Sequence, residues 1–152
     1  MSLHFEPARD AHVAPFLARI RPEDRLECER LGYTAEAMVR RSLDRSVEKW
    51  AAVDGAEPIA MWGITAASIA GELGCPWLLT TPGVDRHRRT FLRETRWWVE
   101  HRALEMYPRL VNLVDADYAK ALRWLRWLGF TIGDPVPVPP NGRLFCRVER
   151  RR

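Results

Sequence analysis

The stretch from Pro76 to Phe130 constrains the fold more than any other part of the chain, because strand-like and helix-like segments alternate along it. The predicted elements are a strand over residues 77–81, a turn at Pro82-Gly83, a helix that starts at Val84 or Asp85 and that Pro108 ends, a strand from Leu110 to Val114, and a helix that stops at Gly129. Strand, helix, strand, helix within about 55 residues predicts a parallel strand pair. Ligands in such arrangements lie beyond the carboxyl ends of the strands, so residues 80–90 are the first candidates for a site.

The flanking segments complete a single domain over residues 1–152. Residues 6–31 are predicted to be helical in two or three pieces, because Pro15 and Pro22 interrupt the pattern. Thr34 is the predicted cap of a further helix of about ten residues. KWAAV and PIAMWGIT form a hairpin around Asp54-Gly55, and RLFCRV belongs to a closing hairpin after the proline-rich loop 133–142. The fold class is therefore α/β (α+β): N-terminal helices, a central mixed sheet with a β-α-β-α core, and a C-terminal hairpin.

Composition limits the possible functions. The chain carries 24 Lys and Arg against 20 Asp and Glu, and Lys49 and Lys120 are its only lysines. This basic balance supports a nucleic-acid-binding accessory protein as one hypothesis, although no known binding module is present. The three cysteines lack metal-ligand spacing and indicate free thiols, and the histidines predict no metal site. We expect neither a membrane span nor a secretion signal, and hence a location inside a cell or a particle assembled there.

The order of the predicted elements resembles that of the GNAT N-acetyltransferases, and ALRWLRWLGF resembles the closing helix of that fold. Five segments in the same order resemble a group of GNAT-like phage proteins related to internal virion protein A of short-tailed bacteriophages. These segments are RSLDRSVEKWAAV, GAEPIAMWGI, GCPWLLTT, YPRLVNLVDA and ALRWLRWLGF, spread over about residues 40–150. The resemblance implies a virion component or interaction module, with other virion or phage proteins as partners and the virion or host cytoplasm as its location.

Two departures from the acetyltransferase pattern imply that catalysis is weakened or lost. The family's loop after the central strand contains glycines that let backbone N–H groups bind the pyrophosphate of acetyl-CoA, whereas this chain has DRHRRT there. The family's acid is a tyrosine about five residues before the closing Phe, where this chain has Leu125. Tyr118, about two turns earlier, is the candidate replacement. Glu72 and Asp115 are more simply explained as loop or cap residues than as the general base.

The alternative implied by the resemblance is an acetyl-CoA-dependent N-acyltransferase with an atypical phosphate-binding loop. Under this hypothesis Leu79, Thr80 and Thr81 contact the pantetheine. The phosphates are held by side chains of the following segment, which are Arg86, Arg88, Arg89 and Thr90.

The final helix suggests a surface for a partner. Asp115-Ala116-Asp117 is predicted to cap this helix, whose inward stripe is Tyr118, Ala121, Leu122, Leu125 and Leu128. The opposite face carries Arg123, Trp124, Arg126 and Trp127, and Trp and Arg are favoured at protein interfaces. The simpler alternative is that the two indoles lie beneath the N-terminal helices or the proline loop.

Overall fold

The computed structural model describes residues 2–152 and contains one mixed sheet with helices on both faces. The strands are β1 (Leu3–Pro7), β2 (Ser46–Asp54), β3 (Glu57–Ala66), β4 (Leu73–Thr80), β5 (Arg109–Asp115), β6 (Thr131–Ile132), β7 (Val136–Val138) and β8 (Arg143–Arg151). Their order in the sheet is β1-β2-β3-β4-β5-β8-β6, and β7 also pairs with β8. Strands β4 and β5 are parallel, and all the other paired strands are antiparallel. The predicted fold class is confirmed.

Local sequence signals explain where the helices begin and end. The helices are α1 (Val13–Leu17), α2 (Pro22–Arg30), α3 (Ala35–Arg45), α4 (Arg88–Trp98), α5 (Leu104–Met106) and α6 (Ala119–Trp127). Pro22 occupies the first turn of α2, and Gly32 adopts a φ of 89° just beyond the end of that helix. The Thr34 hydroxyl accepts the N–H of Ala37 at 3.1 Å, so the predicted cap of α3 is confirmed.

Two apolar cores lie on opposite faces of the sheet. Helices α1, α2 and α3 cover one face, where Phe16 and Val39 pack with Met61 and Leu79 of the strands. Helices α4 and α6 cover the other face, where Trp62 and Leu110 pack with side chains such as Phe91. Successive residues of a strand point to opposite faces, so each central strand contributes to both cores.

Three local predictions differ from the structure. Residues 3–7 form β1, paired with β2, although residues 6 and 7 were assigned to a helix. This strand is only five residues long, too short for its alternation to outweigh the helical pattern that follows. The helix predicted from Val84 or Asp85 begins instead with a 3-10 segment, Pro82–His87, and a π-helical turn, Val99–Ala103, interrupts it before α5. The expected cap at 115–117 is also wrong, because Tyr118 precedes α6 and no side chain caps it.

The junction between β4 and β5 positions the site. Only Leu73 with Arg109 and Gly74 with Leu110 are in register, although both strands continue for several residues. A Cβ at Gly74 would lie 2.5 Å from the ring of Tyr107, so glycine permits the close approach at this point. Beyond it the two strands separate toward their carboxyl ends.

Candidate functional site

A cleft of about 670 Å³ opens between the separated parts of β4 and β5 and continues beneath α4 and α6. Pro76, Leu78 and Thr80 line it from β4, and Asn112 and Val114 line it from β5. The Asn112 side-chain amide donates to the Pro76 carbonyl at 2.8 Å, which ties the strands together where they begin to diverge. The predicted region at the carboxyl ends of the parallel strands is therefore a cleft.

Of the three strand residues that were predicted to contact the pantetheine, only one lines this cleft. Thr80 lines it, whereas Leu79 is buried in the opposite core. The N–H of Thr81 donates to Ile59 of β3 at 2.8 Å, and its hydroxyl accepts the N–H of Gly83. Leu78, which sequence analysis did not select, lines the cleft two residues before Thr80.

Carboxylates from α2 lie at the end of the cleft. Asp24 accepts both the N–H and the hydroxyl of Thr80, at 2.8 and 2.7 Å. Glu27, one helical turn later, accepts the N–H of Asp115 at 3.0 Å. Burial raises the pKa of Asp24, and burial raises the pKa of Glu27 to about 8. Glu27 can therefore exchange a proton near neutral pH.

Arg21 anchors α2 to the end of β4. Its guanidinium donates to the Thr80 hydroxyl at 3.1 Å, to the Thr81 carbonyl at 3.2 Å and to Asp85 at 3.1 Å. Its backbone N–H also donates to the Thr80 carbonyl at 2.9 Å. These contacts fix Asp24, three residues later, against Thr80.

Tyr118 lies in the same polar group. It lines the cleft, as Asp24 does. Burial, together with the negative charge of Asp24, raises the pKa of the Tyr118 hydroxyl, which therefore keeps its proton. Leu125 lines the cleft one to two turns further along α6 and contributes no polar group.

Asp115 forms a buried ion pair instead of a helix cap. Its carboxylate accepts Arg30 of α2 at 2.7 Å and the N–H of Asp117 at 2.9 Å. Asp115 is 4% exposed, and Arg30 also contacts Asp117 at 3.0 Å. The pair holds α2 against the end of β5, as Arg21 holds it against β4.

The segment after β4 offers side chains in place of glycines. In the 3-10 segment Pro82–His87 the N–H groups bond to carbonyls three residues earlier, beginning with Val84 to Thr81 at 3.2 Å. Arg86 lies against Asp54 and Glu57, at 3.2 and 3.4 Å, away from the cleft.

The remaining predicted phosphate ligands, Arg88, Arg89 and Thr90, lie in the first turn of α4 but face different parts of the surface. Arg88 lines the cleft, whereas Arg89 lines a shallow depression on the outer surface of α4. Thr90 is half-buried and lines neither. Two cations that were not predicted as phosphate ligands, Lys120 and Arg123 of α6, join Arg88 around the cleft.

Two indoles that line the cleft carry buried hydrogen-bond donors. The Nε1 atoms of Trp62 and Trp124 are buried and have no partner among residues 2–152. Both residues line the cleft, and Trp62 is only 6% exposed. A buried donor without a partner is unfavourable. Because both atoms are closed to solvent, a ligand in the cleft reaches them only if the indoles shift.

The proposed partner surface on α6 divides into two parts. Trp124 is half-buried and lines the cleft. Arg123, Arg126 and Trp127 are exposed, and Arg123 and Trp127 lie at the edge of the same cleft. Trp127 stacks under the Arg96 guanidinium of α4, 4.6 Å from the centre of its ring. The indole of Trp124 therefore belongs to the cleft, and only that of Trp127 remains at the surface.

Other features predicted from composition can also be located. Cys28 and Cys146 are buried, Cys75 is half-buried, and all three are free thiols. Within residues 2–152, no group of His, Cys, Asp or Glu side chains is arranged to hold a metal ion. The helices described over the same range are all too short or too polar to cross a membrane.

Comparison with solved structures identifies the architecture. Ard1 from Thermoplasma volcanium matches with a TM-score of 0.73 and 10% identity over 99% of this chain and 98% of its own. A GNAT family acetyltransferase from Elizabethkingia anophelis with acetyl-CoA bound matches with a TM-score of 0.68 and 12% identity, covering 99% and 98%. The ribosomal-protein-S18-alanine N-acetyltransferase from Escherichia coli matches with a TM-score of 0.62 and 14% identity, covering 99% and 94%.

These similarities establish the GNAT fold, as the resemblance implied. No family model matches the sequence, and neither does any curated protein. The similarity of this chain to known proteins is therefore a similarity of fold.

Sequence analysis missed Asp24 and Glu27. Both lie within residues 6–31, which were predicted to be helical, on α2. Their spacing of three residues, which places them on one helix face, was the available signal. What brings them to the cleft is contact with Thr80 and Asp115, 56 and 88 residues away along the chain.

Proposed function

We propose that this protein is an acetyl-CoA-dependent N-acyltransferase. The observation that carries the proposal is the cleft between β4 and β5, which has a titratable carboxylate, Glu27, at its polar end. When bound, acetyl-CoA supplies an acyl group activated as a thioester. The remaining chemistry falls to side chains of the cleft.

Glu27 is the proposed general base. An amine acceptor is mostly protonated at neutral pH and has to lose a proton to become a nucleophile. With a pKa of about 8, the Glu27 carboxylate is basic enough to take that proton, and it lines the cleft beside the N–H of Asp115. Its ionised fraction rises with pH, so acyl transfer should accelerate as the pH rises toward and through 8.

Tyr118 and Asp24 have supporting roles. Tyr118 keeps its proton because its pKa is raised, so it acts as a hydrogen-bond donor toward a leaving sulfur. Asp24 holds the Thr80 N–H and hydroxyl, which fixes the strand edge that faces the cleft. We therefore assign Glu27 and Tyr118 to contact with substrates, and Asp24 to positioning.

Side chains hold the phosphates in this proposal. Arg88 and Arg123 line the cleft from α4 and α6, and neither forms a salt bridge within residues 2–152. Lys120 is the third cation and contacts Asp85 at 3.5 Å. A cationic group on two neighbouring helices can bind a diphosphate without the bare backbone of a glycine loop.

Calorimetric titration with acetyl-CoA tests the proposal. We expect micromolar binding that is weakened roughly tenfold by Arg88→Ala, since a charge-assisted contact contributes about 1.5–3 kcal/mol. Arg89→Ala is the matched control, because this neighbouring arginine faces away from the cleft. Absence of binding by the wild-type protein would contradict the proposal, and so would an equal loss in both variants.

The phage-protein resemblance gives a second candidate, a virion component or interaction module without catalysis. One observation favours it: the 3-10 segment after β4 engages N–H groups that a glycine loop would leave for a pyrophosphate. In that case acetyl-CoA does not bind, and the protein is present in stoichiometric amounts in purified phage particles. Quantitative mass spectrometry of such particles separates the two candidates.

A further inference from the structure

Two exposed indoles lie on the outer surface of α4 and α6. Trp97 is 51% exposed and Trp127 is 44% exposed, and both line one shallow depression between the helices. Indoles are rarely left in water at two neighbouring positions without a function. We call this surface the Trp97–Trp127 face, which also includes Arg89, Arg93 and Arg96.

The arginines of this face are arranged in rows beside the indoles. Arg89, Arg93 and Trp97 follow one another at steps of four residues along α4, about 6 Å apart along its axis. Cation and indole therefore alternate on one continuous surface.

The charges of this face are incompletely neutralised. Arg96 pairs with Glu100 at 3.1 Å, and Arg93 lies 3.6 Å from Glu94. Within residues 2–152, Arg89 has no salt bridge, and Glu100 is also shared with Arg150 at 3.8 Å. The face thus attracts a polyanion.

The combination of exposed indoles and arginines favours one kind of partner. A second copy of this chain would bring the same excess of arginines against the first, and like charges oppose such a dimer. An acidic peptide matches the arginines but offers no flat ring for the indoles. A single-stranded nucleic acid supplies both phosphates and unstacked bases, whereas a duplex keeps its bases stacked inside.

We propose that the Trp97–Trp127 face binds single-stranded nucleic acid, with bases stacking on Trp97 and Trp127 and phosphates contacting Arg89 and Arg93. Because Arg96 covers one side of the Trp127 ring, the opposite side is the one for a base. This activity is independent of the acyltransfer proposed for the cleft.

Fluorescence anisotropy with a labelled oligothymidine of about 12 nucleotides tests the proposal. We expect Trp97→Ala and Trp127→Ala each to weaken binding roughly tenfold, within the range found for base stacking on aromatic side chains. The double variant Arg89→Ala/Arg93→Ala should weaken binding and lower the salt dependence by about 1.4 in its logarithmic slope, for two lost phosphate contacts.

Matched controls are available on other surfaces of the domain. Arg45→Ala removes an exposed arginine at the end of α3, and Leu144→Ala removes an exposed apolar side chain of β8. Both should bind the oligonucleotide as the wild type does, and circular dichroism checks that every variant is folded. The proposal is overturned if the tryptophan variants bind like the wild type, if a duplex binds as tightly, or if a polyglutamate peptide displaces the oligonucleotide at equal charge.

Discussion

At the scale of single residues, the unusual feature is a pair of acids where a strand ends, Asp24 buried and Glu27 half-buried. Asp24 and Glu27 have raised pKa values because burial disfavours their charged forms. A carboxylate that is partly removed from water and lacks a positive partner is costly, and Glu27 forms no salt bridge within residues 2–152. Such a residue in a cleft is a marker of function.

The raised pKa of Glu27 predicts a pH-dependent effect on stability. The folded state keeps this proton up to about pH 8, whereas the unfolded state releases it near 4.5. The folded state therefore binds more protons between these values, and stability falls as pH rises through that window. Glu27→Gln cannot ionise, so this variant should melt at least about 3 °C higher than the wild type at pH 9 and nearly equally at pH 5.

Thermal melts followed by circular dichroism at the two pH values provide the measurement. Glu23→Gln is the control, since Glu23 is exposed on the same helix. The same difference between wild type and Glu27→Gln at both pH values would show that Glu27 titrates normally.

At the scale of elements, the ends of helices were predicted where they depend on neighbours in the sequence and not where they depend on distant residues. The cap at Thr34 and the interruption at Pro22 depend on neighbours within four residues, and both were predicted. The cap expected at Asp115 was wrong because Arg30, 85 residues away, holds that carboxylate. Local sequence does not reveal such a partner.

Gly74 provides a prediction about the strand junction. An added Cβ would lie 2.5 Å from the Tyr107 ring and 2.8 Å from Ile64 Cδ1, at one of the two positions where β4 and β5 pair. Gly74→Ala should lower the free energy of unfolding by about 1–3 kcal/mol, as overpacking does in other cores. Urea denaturation measures the change.

A double-mutant cycle tests whether the loss of stability in Gly74→Ala comes from the clash with the Tyr107 ring. In a Tyr107→Ala background the same Gly74→Ala change should cost clearly less, because the principal clash has been removed. An equal cost in the two backgrounds would place the effect in the strand backbone itself.

At the scale of the whole molecule, the sheet consists of two antiparallel arms joined at one short parallel contact. The running order of elements was predictable from hydrophobic periodicity and turns. The separation of β4 and β5 was not, because periodicity identifies a strand but not how far it stays paired. The position of the cleft at the ends of the strands could therefore be predicted. That Leu78, Asp24 and Glu27 line it depends on the tertiary structure and could not be predicted.

A ligand between the arms should stabilise both of them. Acetyl-CoA at about 100 times its dissociation constant contributes about 2.7 kcal/mol, which corresponds to a rise in Tm of roughly 5–10 °C. Hydrogen exchange should show added protection in β4 and β5 together, while β1, at the far edge of the sheet, stays unchanged. Arg88→Ala at the same concentration of acetyl-CoA should reduce both effects. Protection confined to the outer surface of α4 and α6 would place the bound molecule outside the cleft and contradict the proposed acyl-donor site.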